Sequence, residues 1–186
     1  ARAFGYGLAK SVIDAAEQDS FIQTRAPRLT IKTREIELGI DNLLLSIATL
    51  MGLVDSDPEL HLTPPFVRYL SEVTFIQLGE ATITAIPGEL YPEIAVGGIE
   101  NPDGADYSIS PQEIPPLRSQ LPGKVNLMVN LANDAIGYII PKSEWDNSAP
   151  WIYGEDEETY GEVVSLGSET APAIHRAVVE VVQDND

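Results

Sequence analysis

The stretch YLSEVTFIQLGEATITAIPGE, residues 69–89, constrains the fold most. Val73, Phe75 and Gln77 alternate with Thr74, Ile76 and Leu78, the two-residue period of a strand with two distinct faces. Gly79-Glu80 interrupts the run and residues 81–86 resume it. Two strands joined by two residues, the first a glycine free to take a positive φ, form an antiparallel hairpin. Pro87-Gly88 then breaks the second strand, and ELYPEIAV starts a helix with Glu89 in or just before its first turn. A carboxylate at that place has two readings. It is an acid favoured by the helix macrodipole, or it reaches into a cleft at a strand end, beside a glycine that lets backbones approach closely.

The other segments alternate helix and strand irregularly. AFGYGLAKSVIDAAEQ puts Phe4, Leu8, Val12 and Ala15 or Ala16 at helical spacing, an amphipathic helix. RLTIKTREIEL alternates through Leu29, Ile31, Ile36 and Leu38 as a half-exposed strand. DNLLLSIATLMGLV is apolar nearly all round after Asp41 or Asn42 as N-cap, which predicts a short buried helix. VNLMVNLA is a nearly continuous apolar run, as in a strand buried on both faces. SETAPAIHRAVVEVV predicts a closing helix with Ser168 as N-cap and Pro172 early enough to be tolerated. Residues 97–124 are rich in Pro, Gly and polar side chains, a loop long enough to be functional or disordered. The expected fold class is α/β, a mixed β-sheet with flanking helices rather than a regular parallel barrel.

Composition bounds the function. The 186 residues, 44% hydrophobic, suffice for one domain with a core. The net charge is −18, and from residue 143 onward eleven acids face one base, Arg176. Nucleic acid and anionic membrane surfaces are therefore poor partners. That acidic stretch reads as a solvated face, and no Asp-x-Asp-x-Asp-Gly calcium loop is present. No cysteine occurs, which removes disulfides and Cys-held zinc. No apolar run approaches the 18 residues of a membrane span. The start, ARAFGYGLAK, lacks a Met and a signal-peptide pattern and reads as the interior of a longer protein.

Few residues offer themselves for chemistry. His61 and His175 are the only histidines and share no ligand spacing, so each reads as an ordinary surface or satisfied histidine. There is no Gly-x-Ser-x-Gly elbow and no phosphate-binding glycine loop. Tyr138 follows Gly137 in NLANDAIGYIIPKSEWD and reads either as a core aromatic or as a second side chain presented at a broken strand; Tyr160 in TYGEVVSLG reads as a loop aromatic.

Taken in order, AIPGELYPE, NLANDAIGYIIPKSEWD and YGEVVSLGSETAPAI, preceded by the helix ARAFGYGLAKSVIDAA, resemble the carboxy-terminal half of the catalytic domain of neutral/alkaline non-lysosomal ceramidases and their bacterial relatives. The resemblance implies a secreted or periplasmic zinc-dependent amidohydrolase cleaving an N-acyl amide bond, in ceramide or a related lipid. It implies one zinc ion held by Glu89 and Tyr138, completed by two histidines from the amino-terminal half of the protein, which is the expected partner. Tyr160 is the nearest match to a further family tyrosine that binds the scissile carbonyl. Residues 1–186 would then be the carboxy-terminal portion of that catalytic domain, with residues 97–124 as an insertion and no activity on their own. Leu90-Tyr91-Pro92 stands where the family usually has Phe-Thr and a basic helix, and neither His61 nor His175 matches a family ligand. The alternative expectation is a non-catalytic acidic α/β domain that binds a lipid or glycan.

Overall fold

The computed structural model describes residues 2–18, 25–54, 58–157 and 159–184. Its spine is β3 (Val67–Leu78), to which β1 (Leu29–Gly39) pairs antiparallel from Leu29↔Leu78 to Gly39↔Arg68. β4 (Ala81–Ala85) returns along the end of β3 in the predicted hairpin, with Leu78 opposite Ala81 and Gly79 at φ 61° in the turn. The short β2 (Pro58–Leu60) pairs antiparallel with the start of β3. β6 (Val125–Val129) adds to β4 in parallel. The protein is thus α/β, with a mixed five-stranded sheet.

The closing helix α5 (Thr170–Gln183) packs on β1 and β3. Leu38, Val73 and Phe75 from the strands and Ile174, Val178 and Val181 from the helix share one core. The loop 97–124 is ordered against the same core: Leu117 and Leu121 are buried in it, and His175 on α5 hydrogen-bonds the Pro115 carbonyl oxygen at 2.9 Å.

Four sequence expectations are corrected. First, α2 (Leu43–Leu50) forms but is not a buried helix. Its polar residues fix its orientation: Asn42 accepts from the Leu45 N–H (3.0 Å) and donates to the Val163 carbonyl (2.9 Å), and Ser46 donates to the Ile40 carbonyl (3.2 Å). Ser46 and Thr49 therefore face inward, and Leu43, Leu44 and Leu50 face out. Second, β6 is the last strand of its sheet and leaves Val125, Leu127 and Val129 exposed, so its apolar run does not report burial on both faces. Third, α5 is preceded by Glu169 as its N-cap, with no side-chain cap bond, and the Ser168 hydroxyl instead pairs with the Tyr107 hydroxyl at 3.0 Å. Fourth, the helix after Pro87-Gly88 begins only at Pro92 (α3, Pro92–Val96), whose first-turn acid is Glu93. Proline at that first helical position costs no hydrogen bond. Glu89 lies in a strand, so the macrodipole does not explain it.

The molecule keeps much of its surface open. The helix α1 (Arg2–Ala16) forms where its spacing predicts, yet none of its residues is buried. Phe4, Leu8 and Val12, the intended apolar stripe, are exposed. The total accessible surface is 11511 Å², roughly 30% above the ~8,800 Å² that a folded monomer of 20.2 kDa exposes by surface scaling.

Candidate functional site

After Pro87-Gly88 the chain makes one further strand pair. β5 (Glu89–Leu90) lies parallel to β7 (Tyr138–Ile139), with Glu89 directly opposite Tyr138. The pair prolongs the β4–β6 ladder. The Ile86 N–H donates to the Val129 carbonyl, and directly after the Pro-Gly break the Glu89 N–H donates to the Gly137 carbonyl, both at 2.9 Å. The loop between β6 and β7 is pinned to β3 by polar side chains. Asn133 donates to Thr74 Oγ1, and Asp134 accepts from the hydroxyls of Tyr69 and Ser71, each at 2.9 Å. In this way the Asn-Asp of NLANDAIGY sets where Tyr138 emerges.

Two glycines make the approach possible. A Cβ on Gly88 would stand 2.5 Å from the Gly137 carbonyl oxygen. A Cβ on Gly137, which has φ +86°, would stand 1.8 Å from the Val164 carbonyl oxygen, the acceptor of the Tyr138 N–H. The glycine before each of these two residues is there because two backbones meet.

Tyr160, read from sequence as a loop aromatic, opens the short helix α4 (Tyr160–Val163). Its ring stands edge-on to that of Tyr138, with centroids 6.1 Å apart and planes at 77°. Glu89, Tyr138 and Tyr160 are thus neighbours, drawn from three separate stretches of chain. A fourth residue, Tyr91, also stands edge-on to Tyr138, with centroids 6.2 Å apart and planes at 80°.

The electrostatics of the group are one-sided. The negative charge of Glu89 is the main reason the Tyr138 hydroxyl holds its proton more tightly than a free phenol, followed by desolvation and by the hydrogen bond between the two side chains. Burial, reinforced by the charge of Glu162, pushes Tyr91 up to about 12. No Lys or Arg figures among the causes of either shift. Behind the tyrosines, Glu162 is buried, accepts from the Asp146 N–H at 3.1 Å and from the Thr159 hydroxyl, and has its pKa raised by desolvation.

An apolar cleft of about 460 Å³ opens against Gly137, the residue before Tyr138. Leu44, Leu45, Ala48 and Val54 form one wall, and Gly137, Val163, Val164 and Leu166 reach it from β7 and the segment of α4. It thus joins the exposed helix α2 to the backbone that carries Tyr138 and Tyr160.

The donor set next to Glu89 is a carboxylate and a phenol, two oxygen ligands, whereas a catalytic zinc takes three protein ligands. The pair by itself therefore falls short of such a centre. Neither histidine completes it among the described residues. His175 is buried and satisfied by Pro115. His61 lies 3.1 Å from Glu37 and 3.5 Å from Glu59, and these three are the only group of three or more such side chains among the described residues whose ligand atoms converge.

The chain matches no protein-family model, no curated protein and no solved structure.

Two features escaped the sequence reading. Tyr91 was seen only as a departure from the family pattern; the Tyr-Pro step that starts α3 was its signal. The Glu59-x-His61 spacing carries no His–His pair and so does not stand out as a ligand pattern in the sequence. On a strand, positions i and i+2 share a face, which makes Glu-x-His a two-ligand motif in its own right.

Proposed function

We propose that this chain supplies part of the active site of a zinc-dependent amidohydrolase resembling neutral ceramidase, acting on an N-acyl amide together with an amino-terminal half that carries two histidine ligands. The observation that carries the reading is the in-register pairing of Glu89 with Tyr138, two chemically competent side chains brought together on a strand pair that glycines on both sides permit. Zinc bound there would polarise the amide carbonyl and lower the pKa of water toward ~7. In the free chain the charge of Glu89 makes the Tyr138 phenol hold its proton more tightly. Tyr160, exposed and edge-on to the Tyr138 ring, would donate its hydroxyl to the carbonyl oxygen as that oxygen gains charge. The apolar cleft beside α2 suits an acyl chain, and the uncovered faces of α1 and α2 suit a covering partner. A secreted or periplasmic setting goes with the same reading.

The test uses the chain joined to its amino-terminal half. Glu89→Ala is expected to abolish both zinc retention and hydrolysis of N-acyl amides. Tyr160→Phe is expected to keep zinc and lower kcat by ~10²–10³, the worth of one oxyanion donor. A Glu89→Ala protein that keeps its zinc and its rate overturns the reading. The second reading, an acidic domain that binds a lipid or glycan without cleaving it, is favoured by the same apolar cleft; acyl-chain binding with no zinc in the complete protein would select it.

A further inference from the structure

Glu37, Glu59 and His61 come from different elements but share one face of the sheet. Glu59 lies on β2 opposite Arg68 of β3, and Glu37 on β1 is opposite Leu70, two residues from Arg68 on the same face. His61 follows β2 directly, and its N–H continues the ladder to the Phe66 carbonyl at 2.9 Å. His61 and Glu59 therefore project together, two positions apart.

The ligand atoms converge. His61 Nε2 is 3.1 Å from Glu37 Oε1 and 3.5 Å from Glu59 Oε2, and all three atoms lie within 4.8 Å of one another. Zinc–nitrogen and zinc–oxygen bonds of about 2.0–2.2 Å place adjacent ligands of a tetrahedron roughly 3.4 Å apart. The two measured separations bracket that edge. All three side chains are partly exposed, at 29–50%, so an ion can enter and a water can take the fourth position.

The donor chemistry agrees. One imidazole and two carboxylates suit a borderline divalent transition metal, not calcium or magnesium, which take oxygen ligands alone. Two carboxylates balance the charge of a divalent ion. Arg68 Nη1 holds Glu37 Oε1 at 2.6 Å, which fixes the carboxylate and also opposes the cation, so the site is one of moderate affinity. The same separations would suit a protonated His61 bridging the two glutamates, and the experiment must tell ion from proton.

We propose that Glu37, Glu59 and His61 form a surface site for a divalent transition metal such as zinc, separate in ligands from the Glu89–Tyr138 pair. The chain has only two histidines, so their imidazole signals can be followed by NMR with His175, buried against Pro115, as the internal reference. Zinc chloride titrated into the metal-stripped chain at a fixed pH above neutrality is expected to shift the His61 resonances up to one equivalent and leave those of His175 in place. Cobalt(II) is expected to give the visible bands of a four- or five-coordinate centre. His61→Ala should abolish the bands. Glu59→Gln, at an exposed position that does not threaten folding, should weaken uptake by about tenfold or more, since loss of even an outer partner of a metal ligand costs that much. Glu89→Ala should leave both signals unchanged, so the site stands or falls independently of the proposed amidohydrolase centre. His61 resonances that do not respond to zinc, or uptake that survives His61→Ala, would overturn the proposal.

Discussion

Gly137→Ala is the substitution that most directly probes how the site is built. Three contributions can be separated. An L-residue at φ +86° enters a backbone region that costs about 1–2 kcal/mol. The new Cβ would stand 1.8 Å from the Val164 carbonyl oxygen, so that oxygen must move and release the Tyr138 N–H it accepts at 3.3 Å, a loss of about 1 kcal/mol. Against these, alanine lowers the entropy of the unfolded chain and returns about 0.4–1 kcal/mol. The net expectation is a destabilisation of ~2 kcal/mol or somewhat more. Gly52→Ala is the matched control, because Gly52 has φ +69° with nothing within 4 Å of its Cβ position. It carries the backbone cost alone and should lose about 1 kcal/mol or less. Urea denaturation of both variants, with unchanged m-values, measures the difference. A second readout concerns the site: when Tyr138 is displaced from Glu89, its hydroxyl should ionise at lower pH than in the parent chain. Equal losses for the two variants, or a Tyr138 titration untouched by Gly137→Ala, would refute the argument that backbone contact at Gly137 positions the tyrosine.

Two further predictions concern protons. Glu89→Gln removes the largest cause of the raised Tyr138 pKa, so the phenol should titrate closer to its ordinary value of 10.0; spectrophotometric titration against a Tyr138→Phe baseline reads this, and an unchanged curve would mean that the carboxylate does not govern the tyrosine. Glu144 is buried, and desolvation is the first cause of a pKa raised above 4.5, with Glu93, Glu100 and Glu113 adding to it. Between the unfolded and folded values the folded state binds more protons, so stability declines as pH rises from about 4.5 through that window and stays reduced at neutrality. Glu144→Gln keeps an oxygen to accept the Glu100 N–H, now at 2.6 Å, and is expected to raise the urea midpoint at pH 7, with the gain shrinking as pH falls through that window toward 4.5 and absent below it.

The hairpin of β3 and β4, the strand β1 and the existence of helices α1 and α5 were legible because local period and turn chemistry decide them. Gly79-Glu80 can hardly be anything but a two-residue turn between those runs. The pairing of Glu89 with Tyr138 was not legible from local pattern, since 48 residues separate them and the parallel β5–β7 contact depends on the whole intervening loop. Burial was misread where apolar content was taken for interior position. In α2 the decisive residues were Asn42, Ser46 and Thr49, whose hydrogen bonds or inward turn set which side of the helix faces the core. In β6 the apolar run lies at the sheet edge, where sequence carries no mark of a missing neighbour.

The glycine contacts also link Tyr91 to the helix that carries Tyr160. A Cβ on Gly161 would stand 2.6 Å from the Tyr91 hydroxyl and 3.0 Å from Ile140 Cδ1. The second neighbour is the end of a flexible side chain and can yield, so the hydroxyl is the main obstacle. Helix propensity alone favours alanine over glycine by up to about 1 kcal/mol, whereas overpacking costs about 1–3 kcal/mol. Gly161→Ala is therefore expected to destabilise the parent chain by ~1 kcal/mol. In a Tyr91→Phe background the obstacle is gone, and the same change should be neutral or stabilising. The two residues should accordingly couple by about 1 kcal/mol in a double-mutant cycle, well above the ~0.3–0.5 kcal/mol scatter of independent sites. The Tyr91→Phe ring still stands edge-on to Tyr138, so a site role for the ring itself would survive in that background. Additive effects would mean that Gly161 is not dictated by Tyr91, and that α4 is held against β7 chiefly by the Val164 carbonyl and the Tyr138 N–H.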